Sequence, residues 1–197
     1  MTNPARDDGR FEREALCWLP DVARFALSLA RNETDADDLV QDTFLAAYEN
    51  WNQYVTGSEC RAWLFTICRH RFYRTSARAE RQVAEDTPEL EALAAAAIHM
   101  SAQTSGLADS FERAEVLRAV EAAIADLPPD FRDVALLVDL HDHSYDSASA
   151  VLGVPIGTVR SRLFRARRLL QEKLLAHARD AGIGKMGKGP TTRGDAP

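Results

Sequence analysis

Apolar positions recur every three to four residues along most of the chain, and no apolar/polar alternation bounded by turn residues lasts beyond a few positions. The pattern predicts an all-α protein. A first helical stretch runs from Phe11 to Arg31, with Leu16, Leu19, Val22, Phe25, Ala26 and Leu29 on one stripe and Pro20 marking a kink or restart. Thr34 then reads as an N-cap with Asp37 at the capping-box position, opening a helix whose apolar stripe is Ala36, Leu39, Val40, Phe44, Ala47 and Trp51. Its other face shows Asp38, Gln41, Asp42, Leu45 and Glu49, acids around one outward leucine. After the polar run 52–57, Ser58 is placed to cap a third helix with Trp63, Leu64, Ile67 and Cys68 inward.

Between 82 and 109 the stripe dissolves into acids, Ala, Ser, Thr and Gly, the composition of an interdomain linker. From Phe111 the helical period returns through Leu117, Val120, Ile124 and Leu127, stops at Pro128-Pro129, and resumes from Asp130 through Val138. His141-Asp142-His143 reads as a surface loop. Ser144 caps a short helix, Gly153 closes it, and Val154-Pro155 leads into a last long helix. Beyond Asp180 the Gly-rich tail has no core-forming pattern.

Composition adds exclusions. At 197 residues, 46% hydrophobic, with 10 Gly and 8 Pro, the chain is neither collagenous nor wholly disordered. Cys17, Cys60 and Cys68 form no CxxC pair and no disulfide framework, which fits a reducing cytoplasm. The charged first fifteen residues offer no signal-peptide core, and no run is apolar enough for membrane insertion. Phosphate-cradling Gly motifs, HExxH and the nucleophile elbow are all missing, so neither an enzyme nor a small-molecule substrate is expected, and no cofactor. Asp139, His141, Asp142 and His143 crowd together, but histidines two apart do not face one ligand position, so no metal site is expected.

The formal charge of −6 argues against nucleic acid until its distribution is read. Residues 33–49 hold six acids and no base, whereas 61–81 and 160–173 each hold six basic side chains against one acid, a net of +5 apiece. Two basic blocks in an acidic protein mark two places for a polyanion. The second block is the more informative. At 100° per residue, Val159, Leu163, Ala166, Leu170 and Leu174 fall within about 80° of one another and make a buried stripe. Ser161, Phe164, Arg165 and Arg168 lie opposite, flanked by Arg160 and Arg167. A short helix, a Gly turn and a basic helix are the helix-turn-helix arrangement, whose second helix enters the major groove. There an arginine reads guanine and a phenylalanine meets a thymine methyl. Arg165, aided by Arg160, is the base-reading candidate; Arg167 and Arg168 suit phosphates. In the first block, arginines interleave with Trp63, Phe65, Phe72 and Tyr73 and follow Tyr54, a composition that serves base stacking. Enclosed aromatics with solvated arginines give the same sequence, and the block alone favours that reading.

The runs DADDLVQDTFLAAYENW, RAWLFTICRHRFYR and GVPIGTVRSRLFRARRLL, in that order and spacing, resemble the extracytoplasmic-function group of bacterial RNA polymerase sigma factors. The resemblance covers about Phe11 to Leu175. It implies two small helical domains: sigma region 2 over 11–81 and region 4 over 111–178, joined by a flexible linker, 82–110, with a disordered tail, 179–197. It also implies core RNA polymerase, promoter DNA and an anti-sigma factor as partners. By position, Asp38, Leu39, Gln41, Asp42 and Phe44, with the independently noted Leu45, match the helix that docks on the polymerase. The loop from Tyr54 to Glu59 and the helix after it, with Trp63, Arg69, His70, Arg71, Tyr73, Arg74 and Arg78, match the segment that captures melted minus-10 DNA. Thr158, Arg160, Ser161, Phe164, Arg165, Arg167 and Arg168 match the minus-35 helix. The family commonly has Asn at the place of His70 and Asp at that of Arg74, and SYDSASAVLG lacks the usual acidic pair after its tyrosine. The competing expectation is a helix-turn-helix regulator binding duplex DNA alone as a dimer, which leaves the acidic helix without a task.

Overall fold

The computed structural model describes residues 8–85 and 107–180. It contains α1 (Asp8–Glu14), α2 (Leu19–Ala30), α3 (Glu33–Glu49), α4 (Cys60–Glu85), α5 (Leu107–Ala125), α6 (Pro129–Ala135), α7 (Tyr145–Leu152) and α8 (Ile156–Asp180). Short 3-10 turns occupy Leu16–Trp18 and Trp51–Gln53, a π turn occupies Leu136–Leu140, and there is no strand among the described residues. The linker reading 82–110 falls outside the described residues except at its ends, which belong to α4 and α5; the tail 179–197 does so beyond Asp180.

The chain divides into two compact units. One joins the described residues up to 85 with 136–160; the other joins 107–135 with the rest of α8. In the first, α2, α3 and α4 pack on one another and α7 packs on α4. Its core is Val22, Phe25, Ala26, Leu29, Ala47, Leu64, Phe65 and Cys68, with Ala148 and Val151 from α7. Phe25 and Phe65 stack at 4.4 Å and 17°. In the second unit α5 packs on α6, and Ala123, Leu127, Val134, Leu163 and Ala166 are buried. Lys173 on α8 reaches Asp126 at 2.8 Å, and Arg162 pairs with Asp130.

Several expected boundaries move for local reasons. Pro20 acts as a restart, standing in the first turn of α2 where its missing N–H costs nothing, so upstream Leu16 and Leu19 leave the stripe and are exposed. Arg31 ends α2 in the left-handed region (φ 66°), which places Asn32 in extended backbone. Asn32, not Thr34, therefore caps α3: its Oδ1 accepts from the Asp35 amide at 2.8 Å and its Nδ2 donates to the Asp35 carboxylate at 2.7 Å. Ser58 does not cap α4, because its hydroxyl donates to the Val55 carbonyl at 2.7 Å and the helix begins at Cys60. Further on, Ser144 caps α7 by accepting from the Ser147 amide at 3.0 Å, and Gly153 closes it at φ 66°.

The largest departure is the histidine segment. His141 and His143 are each 5% exposed, not surface groups. The π turn, seen in the His141 amide bonding the Leu136 carbonyl at 3.0 Å, carries the chain inward. His141 meets Phe25 and Phe65 edge-on at 5.3 and 5.7 Å, and His143 meets Phe65 at 4.6 Å.

Candidate nucleic-acid interface

The acidic helix comes first in the chain. On α3, Asp38, Gln41, Asp42 and Leu45 are exposed, with Leu45 at 58%. Phe44 is half-buried and Leu39 is 7% exposed, turned into the core. The outward patch is thus an apolar side chain ringed by carboxylates and one amide. Thr43, which the apolar pattern passed over, is fully buried because its hydroxyl donates to the Leu39 carbonyl at 2.6 Å and needs no solvent.

The first basic block sorts by helical angle. Phe65 faces the core, while His70, Arg74 and Arg78 are exposed and Trp63, Arg69, Arg71 and Tyr73 are half-buried. Arg69 lies over the Tyr73 ring at 5.0 Å, which orients both. Tyr54 is 8% exposed: its ring stacks on Trp51 at 4.7 Å, approaches Trp63 at 5.3 Å, and its hydroxyl donates to the Ser58 carbonyl at 2.8 Å. Burial raises its pKa above 10.0. Tyr54 thereby braces the loop to Glu59 and presents no free stacking face. Phe11 closes the cluster, edge-on to Tyr48 and Trp51 at 5.2 and 5.0 Å.

Beside Trp63 lies an open cavity of about 260 Å³, lined by Ala46, Asn50, Gln53, Trp63, Ile67, His70, Arg71 and Arg74. The α4 members recur at helical spacing, so the sequence held the signal. Asn50 and Gln53 come from the end of α3 and the turn after it, and contiguous motif reading missed them. Gln53 donates to the Asn50 side-chain oxygen at 3.1 Å, and Asn50 donates to the Ala46 carbonyl at 2.8 Å, so both amides are held in place. An indole, two amides, an imidazole and two guanidiniums around a volume of this size offer stacking, base-edge bonding and phosphate neutralisation together.

The second basic block presents what its angles predict. Val159, Leu163 and Ala166 are buried, and Leu170 and Leu174 half-buried. Arg160, Ser161, Phe164, Arg165, Arg167 and Arg168 are exposed, and Thr158 is half-buried. Phe164 stands 70% exposed among these arginines. Arg160 lies over the Tyr145 ring at 5.8 Å, tying the first turn of α8 to α7, and Arg168 pairs with Glu172 at 3.0 Å.

The remaining titratable groups carry no comparable chemistry. Burial pushes the Cys60 thiol up to about 11 and that of Cys68 to about 12, so both are poor nucleophiles, and all three cysteines are free. His141 and His143 are lowered to about 4, by burial first and the Arg61 charge next. Among the described residues no group of three or more His, Cys, Asp or Glu is arranged to hold a metal, and no helix is long and apolar enough to cross a membrane.

Comparison with known proteins follows the same division. The family model of sigma-70 region 2 matches residues 16–82, and that of sigma-70, region 4, matches residues 117–170. The chain is 37% identical over 174 residues to the ECF RNA polymerase sigma factor EcfG of Rhodopseudomonas palustris, covering 88% of this chain and 87% of that protein. It is 36% identical over 167 residues to the ECF sigma factor SigC of Mycobacterium tuberculosis, covering 80% and 77%. Among solved structures, the sigma factor RpoE in complex with the anti-sigma factor NepR, from Bartonella quintana, is similar with a TM-score of 0.68 and 35% identity over 84% of this chain and 97% of that one. The structure of CnrH in complex with the cytosolic domain of CnrY is similar at a TM-score of 0.60 and 26% identity, covering 86% and 90%.

Proposed function

This chain belongs to the extracytoplasmic-function sigma factors, and from that membership we propose how its residues divide the work of starting transcription. The protein is an alternative sigma factor: it binds core RNA polymerase, directs promoter-specific initiation and is controlled by an anti-sigma factor. Bond-making in transcription then belongs to the polymerase, and this chain supplies specificity and strand opening in the cytoplasm without catalysis of its own.

In our reading, the outward face of α3, Asp38, Gln41, Asp42 and Leu45, docks on a basic surface of the polymerase, with Leu39 and Phe44 holding the helix from beneath. α8 lies in the minus-35 major groove, with Arg165 and Arg160 on guanine edges, Phe164 against a thymine methyl, Ser161 and Thr158 on polar edges, and Arg167 and Arg168 on phosphates. The cavity beside Trp63 takes the melted minus-10 strand. His70, Arg71 and Arg74 line it, and Arg69, Tyr73 and Arg78 continue the positive track along α4. Flipping a base costs a few kcal/mol, which stacking on Trp63 and bonds to Asn50 and Gln53 offset. Tyr54 contributes by fixing the loop. We place the working boundaries at 11–81 for the minus-10 and polymerase half and 111–178 for the minus-35 half.

The observation that carries this reading is the 70% exposure of Phe164 within an arginine face, on a helix entered through a capped Ser144–Gly153 turn. A solvated helix face gains nothing from an exposed phenylalanine, whereas a groove-reading face does. The test is run-off transcription from a genomic promoter library, with core polymerase and purified protein added separately and together. New transcripts only in the combined reaction are expected. Their absence, with tight sequence-specific duplex binding by the protein alone, overturns the reading in favour of a dimeric regulator.

A further inference from the structure

The buried histidine segment is left unused by the proposed function, and its surroundings are built with care. Arg61, in the first turn of α4, donates from Nη2 to the His141 carbonyl at 2.6 Å and pairs with Asp21 of α2 at 3.1 Å. Ser28 of α2 lies 3.1 Å from His141 Nε2. The single hydroxyl proton of Ser28 goes to the Phe25 carbonyl at 2.8 Å, so the network assigns Nε2–H of His141 as donor and Ser28 Oγ as acceptor. The imidazole is neutral in that state and edges onto the Phe25–Phe65 stack. His143 Nδ1 bonds the Ser147 hydroxyl at 2.7 Å, and its other ring nitrogen is buried without a hydrogen-bond partner. The segment that leads into the minus-35 helix is therefore clamped onto the two helices that frame the minus-10 site.

Geometry gives the clamp a consequence. Four loop residues, α7, the Gly153 turn and the first turn of α8 separate His141 from Arg160. At about 1.5 Å per helical residue and about 3.5 Å per extended one, that path is at most about 45 Å. Adding the reach through Arg61 leaves Trp63 and Arg160 about 60 Å apart at the very most. The nominal minus-10 and minus-35 positions lie roughly 85 Å apart at ~3.4 Å per base pair, on duplex stiff at that length. Both elements cannot be held while the clamp is made.

We propose that residues 139–147 are an intramolecular latch, docked on α2 and α4 through Arg61, Ser28 and the Phe25–Phe65 pair, which keeps the free protein unable to span a promoter until engagement with polymerase and DNA releases it. The proposal rests on the sigma-factor reading for its consequence; the latch itself is a property of the free chain. Its contacts suit a reversible device. One charge-assisted bond to a backbone carbonyl, one bond to a hydroxyl and ring edges give a closed state that partner contacts can outweigh.

The test uses the full chain with spin labels at Leu27→Cys on α2 and Ala150→Cys on α7, both exposed, in a Cys17→Ser background that removes the exposed native thiol. Pulsed electron-electron distances are measured free, and then with core polymerase and a promoter fragment recovered by run-off. The free protein is expected to show one short distance and the promoter complex a long one. The Ser28→Ala, Arg61→Gln pair is expected to raise the open fraction of the free protein about tenfold, with unchanged helicity by circular dichroism. Should that pair lose helicity, Ser28→Ala alone is read for a smaller rise. An unchanged distance distribution in a folded variant overturns the latch, as does a short distance that persists in a complex making transcripts. Failure of the sigma-factor reading looks different: no specific transcripts from wild type, while the free-chain distances still respond to the substitutions.

Discussion

The two arginine-rich helices, α4 and α8, have the same net charge over their basic blocks and opposite uses for their aromatic residues. On α8 the phenylalanine points out among the arginines and the aliphatic residues point in. On α4 the phenylalanine of the same block, Phe65, is fully buried against Phe25, and the aromatic face left near solvent is the half-buried Trp63 beside the cavity. A helix that enters a groove exposes its reading residues along one stripe. A helix that holds a single extruded base needs a recess, so most of its aromatics build the walls. Composition alone does not separate these cases; helical angle plus the position of neighbouring helices does.

The sharpest way to break this comparison is a matched pair of truncations. Phe65→Ala is expected to destabilise the protein by about 3 to 5 kcal/mol through loss of buried area and the cavity left behind. Phe164→Ala is expected to stay within about 0.5 kcal/mol of wild type while weakening minus-35 binding. Urea denaturation reads the first effect and fluorescence anisotropy on promoter duplex the second. Equal stability losses would mean that Phe164 is a core residue and that the two helices do not differ as described.

A comparable effect is expected from pH, and only through the unit that contains α4. His141 and His143 are held near 4 in the folded chain against 6.5 when unfolded, by burial, with Arg61 of α4 and Arg24 of α2 opposing the proton and Asp21 and Asp142 too weak to restore it. The unfolded chain therefore binds protons first as pH falls. Stability is full above about pH 6.5, declines through the window down to about 4, and levels off below it. The loss is about 3 kcal/mol for each histidine, less where the two influence one another. Urea midpoints at pH 7, 5.5 and 4.5 should fall in that order for wild type. His141→Ala should flatten the slope, and a slope unaffected by that substitution would assign the dependence to carboxylates.

Smaller and more specific is Arg165→Ala. It should cost about 1 to 3 kcal/mol of discrimination at one minus-35 base, measured by competition among single-base promoter variants. Uniform loss across all variants would reduce Arg165 to a phosphate contact and make α8 resemble the outer track of α4. The smallest effect on the fold belongs to Asp42→Arg on α3. Stability should change by no more than about 0.5 kcal/mol, because the site is solvated, while affinity for core polymerase falls. Unchanged affinity would remove that face from the docking surface.

What the sequence showed was what local chemistry decides. The Ser144 cap and Gly153 stop of α7 need only their neighbours, and the buried stripe of α8 needs only its own period, so both were readable in advance. Thr34 was read as the cap of α3 because the left-handed Arg31, which hands the role to Asn32, leaves no mark in a residue type that rarely adopts it. Tyr54 was expected at a stacking face because its loop position was visible, but Trp51 and Trp63, which enclose it, act through three-dimensional proximity. The histidine segment was read as surface for the same reason: its burial is supplied by Phe25 and Phe65, from some 76 to 118 positions earlier in the chain. For the candidate site, the α8 face was legible almost residue by residue. On α4 only the basic side of the cavity was, since Asn50 and Gln53 come from another element.

The π turn at Leu136–Leu140 puts a length dependence on all of this. A π turn holds one residue more than an α turn over the same stretch of axis. Deleting any one residue there lets the helix run on as α, and everything after it rotates by about 100°. His141 and His143 would then swing away from Phe25 and Phe65 with no change to Arg61, Ser28 or either imidazole. Lineages of this protein can thus switch between clamped and unclamped forms by a three-nucleotide deletion or insertion, a step that residue-by-residue comparison of the contact partners would not register.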